Sequence, residues 1–260
     1  MVDEISLLKL TKSLVVEAAN CVIFKHENIP LKRYKFEKDL VREIKSNADF
    51  VLEKIIISGL EETEIPILCE ETGYHNQNSD SDYCFIVDPL DGTFNFVKDF
   101  GSCAISIALW KKDNPVFGVI YDLTRKELYW GGKNIGAFCE AKNIKVSPVS
   151  DIKKSLICSG FPVRYNFEEI FVDDYIKFLT SFAKVRMIGS AAVSILSVAR
   201  GAAEAYFEKN IMIWDVAAGL AISEGAGGRN IIINTQIENS YDVMVSNYVL
   251  FDELKEIINE

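Results

Sequence analysis

The sequence lacks the features that define several common classes of protein. It has no cysteine pair at C-x-x-C spacing; its six cysteines are scattered, at Cys21, Cys69, Cys84, Cys103, Cys139 and Cys158. We therefore expect buried, reduced thiols rather than disulfides or metal ligands. No uncharged stretch is long enough to span a bilayer, and the N-terminus lacks the basic start of a signal peptide. These absences predict a cytoplasmic protein without a membrane partner.

Basic residues are also in the minority. Lys and Arg number 28 against 38 Asp and Glu, so the formal net charge is -10 and the isoelectric point is near 4.9. An acidic chain argues against a nucleic-acid partner. At 260 residues, 49% hydrophobic and 25% charged, the chain has the ordinary composition of a globular protein.

The most informative stretch follows the apolar run Cys-Phe-Ile-Val. The run predicts a short buried strand that ends at Asp88, because Pro89 cannot donate to a ladder. Asp91 follows, and Gly92 and Thr93 then open a segment whose backbone amides are free to face a phosphate. Carboxylates beside a phosphate site suit Mg²⁺, although Asp-Pro and Asp-Gly are also ordinary turn signals.

Other acidic positions are ambiguous when they are taken singly. Glu70 and Glu71 follow a predicted strand, where adjacent acids are usually solvated. Asp49 falls in the first turn of a predicted helix, where it is a favourable partner for the helix dipole. Asp215 falls at the start of a later helix, and a simple N-cap explains it equally well.

Periodicity predicts a layered α+β or mixed α/β architecture. Helices are expected over residues 5–25 and from Ser46 or Asn47 to residue 60, and four strands over residues 104–139 form an antiparallel meander. A later helix is expected to begin with Ser190 as its cap.

The chain divides most naturally near Pro148. We expect an N-terminal α+β half over residues 1–147, which carries most of the proposed metal ligands. A C-terminal half over residues 148–260 would complete the same site, so that the two halves form one compact unit.

Taken together, these positions resemble the inositol monophosphatase family. The Glu-Glu pair, Asp-Pro-Leu-Asp-Gly-Thr, Gly-Ser-Ala-Ala from Gly189 and Trp-Asp-Val-Ala-Ala-Gly around Asp215 occur in the order and approximate spacing of that family. The resemblance covers nearly the whole chain, and the two Asp-containing motifs are highly specific as a pair. It implies a layered α-β-α-β-α sugar-phosphatase fold and a Mg²⁺-dependent, lithium-sensitive phosphomonoesterase, commonly a homodimer.

The resemblance also implies a role for each matching residue. Two or three Mg²⁺ ions would be held by Glu70, Asp88, the Leu90 carbonyl, Asp91, Asp215 and Asp49. The catalytic residues would be Glu71 and Thr93, which orient the attacking water, together with Asp91. Phosphate and substrate hydroxyls would be bound by Gly92, Thr93, Gly189, Ser190, Ala191, Glu208 and Asp215.

Three positions depart from the pattern of the family. An Asp after the Asp-Leu-Val segment completes the metal site in many members; one alignment places Lys45 there, and another, which we favour, places Asp49 there. If Lys45 occupies that position, the weakly bound third metal is missing. Cys69 stands where Gly is common, and Phe94 replaces the usual second Thr, but neither removes a proposed ligand.

The sequence therefore predicts a phosphatase that acts on a small polyol or sugar phosphate, with inositol monophosphate as the leading candidate substrate. Fructose-1,6-bisphosphatase and 3′(2′),5′-bisphosphate nucleotidase of the same superfamily are alternatives, because they share the phosphate and metal residues. A second phosphate would need extra basic residues, for which Arg164, Lys184 and Arg186 are candidates. A non-catalytic regulatory binding protein is the rival from another class, and the complete set of water-activating groups argues against it.

Overall fold

Layers of helices and sheets alternate through the structure. It is a computed structural model that describes residues 2–24, 31–36, 44–77, 79–161 and 172–259. Its helices are α1 Glu4–Phe24, α2 Asn47–Leu60, α3 Thr93–Val97, α4 Val172–Thr180, α5 Ala191–Ala199, α6 Ile213–Gly225 and α7 Phe251–Asn259. Its strands are β1 Tyr34–Phe36, β2 Ile44–Ser46, β3 Ile67–Cys69, β4 Gly73–His75, β5 Tyr83–Asp91, β6 Ala104–Lys111, β7 Asn114–Asp122, β8 Glu127–Gly132, β9 Gly136–Cys139, β10 Lys142–Asn143, β11 Leu156–Ser159, β12 Lys184–Arg186, β13 Ala205–Met212, β14 Arg229–Asn234 and β15 Ser240–Ser246.

Within the described residues the strands form two large sheets and one small ribbon. The first sheet has the order β10-β9-β8-β7-β6-β5-β3-β4 and is antiparallel except between β3 and β5. The second has the order β12-β11-β13-β15-β14, with β11 parallel to both of its neighbours. Strands β1 and β2 form the antiparallel ribbon. The predicted meander is confirmed as β6 to β9.

The first sheet is buried on both faces. Phe85 and Val87 of β5 pack into one apolar cluster with α1 and α2, whereas Ile86 between them packs into a second cluster with α5 and α6. Alternate side chains of a strand point to opposite faces, so an unbroken apolar run is what a covered strand requires.

The central helices lie close to the sheet because their contact residues are small. A Cβ atom at Gly118 of β7 would collide with the backbone of Ala218 in α6, and one at Gly219 would press on Ile195 of α5. Helices α4 and α7 cover the far face of the second sheet, with Phe178 and Leu254 in its apolar cluster. The resulting order of layers is α-β-α-β-α, as predicted.

The ends of several elements were predicted correctly, but two were not. Ser46 is confirmed as the cap of α2, since its hydroxyl accepts the Ala48 N–H at 3.2 Å. Strand β5 does not end at Asp88 but continues to Asp91. Its pairing with β6 shifts register between Asp88 and Asp91, so Pro89 lies in a bulge where the ladder does not need its missing N–H. Asp215 is the third residue of α6, whose N-cap is Met212.

Several expectations concern larger features. All six cysteines are free thiols. In the part of the chain that the structure describes, no helix has the length and apolar character needed to cross a membrane. The division at residues 147 and 148 stays a prediction. The sequence also predicts a helix over residues 168–183, of which residues 168–171 lie outside the described ranges.

Candidate active site

Three carboxylates converge where β3 and β5 end beside α6. These strands are parallel neighbours, and Cys69 lies opposite Val87, so the following residues, Glu70 and Asp88, stand side by side. Asp215 reaches them from the first turn of α6. One carboxylate oxygen from each lies within 4.8 Å of the other two. We call Glu70, Asp88 and Asp215 the carboxylate cluster.

The carboxylate cluster carries uncompensated electrostatic repulsion. Asp88 is fully buried, and its Oδ2 has no hydrogen-bond partner among the described residues. Burial, reinforced by the charges of the neighbouring acids, raises the pKa of Glu70, Asp88 and Asp215 well above the ordinary carboxyl range. Buried charge of one sign costs free energy unless a counter-charge is present.

These observations fit a hard divalent cation. The donors are all carboxylate oxygens, which Mg²⁺ prefers, and they lie close enough together for one ion to contact more than one of them. The unpartnered Asp88 oxygen would gain a partner. Glu70, Asp88 and Asp215 are therefore the residues best placed to hold a metal.

The Asp91 side chain is hydrogen-bonded to the start of α5. It accepts hydrogen bonds from the Ser190 hydroxyl and from the backbone N–H groups of Ala192 at 2.8 Å and Ala191 at 3.3 Å. Burial raises the pKa of Asp91 to about 6, although the bonds from Ser190 and from these amides oppose the rise. Asp91 thus joins β5 to the start of α5, and its predicted role as a metal ligand stays a prediction.

The Thr93 hydroxyl is hydrogen-bonded to Asp49. It lies 2.7 Å from Asp49 Oδ1 and 2.9 Å from the Leu90 carbonyl oxygen. The other Asp49 oxygen accepts the Ser46 N–H and hydroxyl, which completes the capping box of α2. Asp49 thus contacts a residue of the site through Thr93, and its predicted role as a metal ligand stays a prediction.

Glu71 is held by Lys45. The Lys45 ammonium lies 2.7 Å from Glu71 Oε2, and the Glu71 side chain is only 1% exposed. Burial raises the pKa of Glu71 to about 7 against the opposing effect of Lys45, while the charges of Asp49 and Glu53 add to the rise. The sequence had not indicated this ion pair.

A cavity of about 360 Å³ opens above the carboxylate cluster. Its wall includes most of the predicted site residues: Glu70, Asp88, Leu90, Asp91, Gly92, Thr93, Gly189, Ser190, Ala191, Glu208 and Asp215. Three partly exposed apolar side chains, Phe94, Phe161 and Met187, also border it. Acidic and polar groups thus lie at the floor, and apolar side chains stand on part of the wall.

The backbone of Gly92 brings α3 to this cavity. Its φ of 83° lies in the left-handed region, and a Cβ there would come within 2.8 Å of the Ser102 carbonyl oxygen. Any residue with a side chain would therefore strain the turn between β5 and α3.

Glu208 lies on another part of the cavity wall. The hydroxyl of the fully buried Tyr206 donates to Glu208 Oε2 at 3.0 Å, and burial raises the pKa of Glu208 to about 7. Gly160 makes room for it, because a Cβ there would collide with the Glu208 carboxylate. Gly160 was missed in the sequence; a glycine directly after a predicted strand was the available signal.

Two of the three candidates for binding a second phosphate do not border the cavity. Lys184 and Arg186 are exposed residues of β12, and neither borders the cavity. Arg164 lies outside the described residues.

Comparisons with known proteins agree with the geometry. The family model described as "Inositol monophosphatase family" matches residues 6–260. The chain is 31% identical to the fructose-1,6-bisphosphatase/inositol-1-monophosphatase of Aquifex aeolicus, over 90% of this chain and 86% of that protein. It is also 31% identical to the putative Nus factor SuhB of Neisseria meningitidis, over 85% of each chain.

A solved structure supports the same relationship. The inositol monophosphatase from Anabaena superposes with a TM-score of 0.83 at 27% identity, over 99% of this chain and 97% of that one. Since the match in sequence spans nearly the whole chain and the layered folds coincide, the chain belongs to the inositol monophosphatase family.

Proposed function

We propose that the protein is a Mg²⁺-dependent phosphomonoesterase that acts on a small polyol or sugar monophosphate, with inositol monophosphate as its first candidate substrate. The observation that carries the proposal is the carboxylate cluster on the floor of the cavity, with a buried Asp88 oxygen that no described residue satisfies. The Anabaena relative is named an inositol monophosphatase, which supports the same substrate, and the name of the Aquifex relative includes both this activity and fructose-1,6-bisphosphatase.

The cluster residues bind the cofactor in this proposal. Glu70, Asp88 and Asp215 supply oxygen ligands, and their mutual repulsion disfavours the empty site. Bound Mg²⁺ would neutralise phosphate charge, lower the pKa of water and stabilise the departing alkoxide. An acidic pocket can therefore accept an anionic substrate.

Thr93 and Asp49 position the attacking water. The Thr93 hydroxyl proton is directed to Asp49 or to the Leu90 carbonyl, so the lone pairs of the hydroxyl oxygen are free to accept a hydrogen bond from water. Asp49 is itself held by the capping box of α2, which fixes the direction of this contact. Glu71, which forms an ion pair with Lys45, would help to orient the same water.

The rest of the cavity binds substrate. The backbone amides of Gly92 and Thr93 would face the phosphate, and Glu208 would accept hydrogen bonds from substrate hydroxyls. A monophosphate is favoured over a bisphosphate because Lys184 and Arg186 lie away from the cavity. A homodimer and sensitivity to lithium are further parts of this proposal, which rest on the family resemblance.

The test is phosphate release with Mg²⁺ from myo-inositol 1-phosphate, fructose 1,6-bisphosphate, 3′-phosphoadenosine 5′-phosphate and several sugar phosphates, with and without lithium. We expect one dominant monophosphate substrate, a loss of release in Asp215→Asn, and inhibition by lithium. A preference for either bisphosphate would replace the substrate in this proposal. Folded protein that binds Mg²⁺ but releases no phosphate would favour a regulatory function, as the name of the Neisseria relative suggests for that protein.

A further inference from the structure

A buried amide, Asn95 in the middle of α3, faces three backbone carbonyl groups. Its Nδ2 lies 2.7 Å from the Ile188 oxygen, 3.0 Å from the Ser102 oxygen and 3.2 Å from the Gly189 oxygen. The nitrogen is the atom that faces them, because the side-chain oxygen would find no donor there. The two N–H groups of one side chain therefore serve acceptors from two distant segments.

These hydrogen bonds connect the two large sheets. Helix α3 follows β5 of the first sheet, whereas Ile188 and Gly189 link β12 of the second sheet to α5. Gly189 borders the cavity, but Asn95 does not. Asp91 also accepts hydrogen bonds from the start of α5, but it borders the cavity, so a change there would alter the cavity itself. Asn95 thus holds part of the cavity wall without belonging to it.

The backbone is closely packed around this amide. Gly189 has a φ of 72°, and a Cβ atom there would lie 3.1 Å from Asn95 Nδ2 and 3.3 Å from its Oδ1. A Cβ atom at Gly92 would lie 3.2 Å from the Gly189 carbonyl oxygen. The distance between Gly92 and Gly189 therefore depends on the side chain that lies beside both of them.

The two glycines have different roles in the proposed function. The amides of Gly92 and Thr93 would bind the phosphate, while residues 189–191 would form the opposite wall, against the rest of the substrate. The carboxylate cluster comes from the ends of β3 and β5 and from α6, so it includes no residue of this wall. A shift of the wall should change substrate binding and leave metal binding as it is.

We propose that Asn95 is a positioning residue that sets the distance between the phosphate-binding amides and the wall formed by residues 189–191. It acts through backbone carbonyl groups and touches neither the substrate nor the metal. This inference rests on the proposed function, because it assigns the two sides of the cavity to the phosphate and to its leaving group. Without the two N–H donors, the protein should bind its substrate more weakly.

The main variant is Asn95→Asp, which keeps the size of the side chain and replaces the donors by an oxygen that repels the three carbonyl groups. The KM for myo-inositol 1-phosphate, or for the dominant substrate of the phosphate-release screen, should rise by at least about tenfold. The kcat should change by less than about threefold, since the metal and the attacking water are unaffected. Asn95→Ala removes the donors without adding repulsion and should raise KM less.

Metal binding is measured separately with Mn²⁺, a paramagnetic probe, by electron paramagnetic resonance of the free ion. Asn95→Asp and the wild type should bind Mn²⁺ with the same number of ions and the same affinity. A loss of Mn²⁺ binding in the folded variant would overturn the inference, because the effect of Asn95 would then not be confined to the wall.

Asn247→Asp is the matched control for general destabilisation. Asn247 is fully buried, and its Nδ2 donates to the Val149 carbonyl oxygen at 2.9 Å, but it does not border the cavity. Both Asp variants should lower the melting temperature by about 5 °C. The rise in KM should occur only in Asn95→Asp; an equal rise in Asn247→Asp would show that the role of Asn95 is merely structural.

Hydrogen–deuterium exchange tests the positioning without activity. In Asn95→Asp, but not in Asn247→Asp, the backbone amides of residues 188–193 should exchange faster than in the wild type. Unchanged exchange there, or an unchanged KM, would overturn the role of Asn95. A wild type that releases no phosphate from any substrate would instead overturn the proposed function, and with it the link from this junction to substrate binding.

Discussion

On one side of the turn after β3, Glu70 faces Asp88 and Asp215; on the other side, Glu71 faces Lys45. Asp88 is buried, Glu70 and Asp215 are partly exposed, and the Glu71 side chain is only 1% exposed; burial raises the carboxyl pKa values in both groups. The groups differ in the charge beside them, since the Lys45 ammonium lies 2.7 Å from Glu71 Oε2, whereas Asp88 Oδ2 has no hydrogen-bond partner among the described residues and lies beside other acids.

The difference separates acids that stabilise the fold from acids that bind a ligand. An ion pair such as Lys45 and Glu71 is complete within the protein and holds β2 against the chain after β3. The carboxylate cluster has no counter-charge without a cation. The repulsion between its carboxylates therefore lowers the free energy of unfolding. Retained repulsion of this kind is typical of functional sites.

The largest effect is expected from breaking the carboxylate cluster. Asp88→Asn should lower phosphate release by at least about a thousandfold, because the proposed metal loses a charged ligand at the cluster. The matched control is Asp122→Asn, which alters a buried acid whose Oδ1 already accepts the Thr124 and Arg125 N–H groups at 2.9 Å. Activity is followed by phosphate release and folding by circular dichroism; near-normal activity in folded Asp88→Asn would contradict the assignment.

The Thr93 contact should be next in effect. Thr93→Val should lower kcat by about a hundredfold with little change in Mn²⁺ binding, because it removes the hydroxyl that positions water and leaves the cluster intact. Thr93→Ser should recover most of the rate. Thr11→Val, which removes a buried hydroxyl bonded within α1, controls for general destabilisation. Equal losses in the Val and Ser variants would count against the role of the hydroxyl.

Metal removal should make stability depend on pH. Burial raises the pKa of Asp91 to about 6 and of Glu208 to about 7, and it also raises the pKa values of the cluster carboxyls well above their ordinary range. The folded chain therefore holds protons that the unfolded chain releases near pH 4, so this stabilisation is lost as the pH rises from about 4 through 7.

With a chelator present, the melting temperature should accordingly fall by about 5 °C or more between pH 5 and pH 8. Added Mg²⁺ should restore stability mainly at the higher pH, because it replaces the missing protons as counter-charge. Scanning calorimetry checks this, and a metal-free protein that becomes more stable over the same range would show the sign to be wrong.

The smallest effect is expected at the cavity wall. Glu208→Gln should raise KM by about tenfold and change kcat less, since the carboxylate is proposed to bind substrate hydroxyls rather than the reacting phosphate. Glu204→Gln is the control, because it alters a buried acid on the same strand region that accepts the Leu156 N–H at 2.7 Å. A selective loss of kcat would move Glu208 from substrate binding to catalysis.

Local sequence signals predicted much of this molecule. The periodicity of α1, the capping serine of α2 and the apolar run of β5 were readable because each depends on residues within one or two turns or pleats. The motifs also predicted which residues border the cavity. The continuation of β5 past Pro89 was misread, because a bulge depends on the partner strand as well as on the proline.

Contacts between distant residues were much less accessible. The hydrogen bond of Thr93 to Asp49 spans 44 positions, and the sequence did not indicate it. The hydrogen bonds that Asp91 accepts from the start of α5, about 100 residues away, were not indicated either, and its role as a metal ligand stays a prediction. Hydrogen-bond partners that are distant in sequence depend on how the layers pack. The spacing of residues along the chain and the composition do not determine that packing.

The sequence by itself determined the layered class, the order of most elements and the set of acids that could meet, since apolar periodicity and turn residues act locally. The tertiary structure decided which of those acids lie together in the carboxylate cluster and which one forms an ion pair. The parallel register of β3 and β5 sets Glu70 beside Asp88, α6 adds Asp215, and β2 gives Lys45 to Glu71. Charged groups interact according to their distance in space, and those distances are set only when the layers pack together.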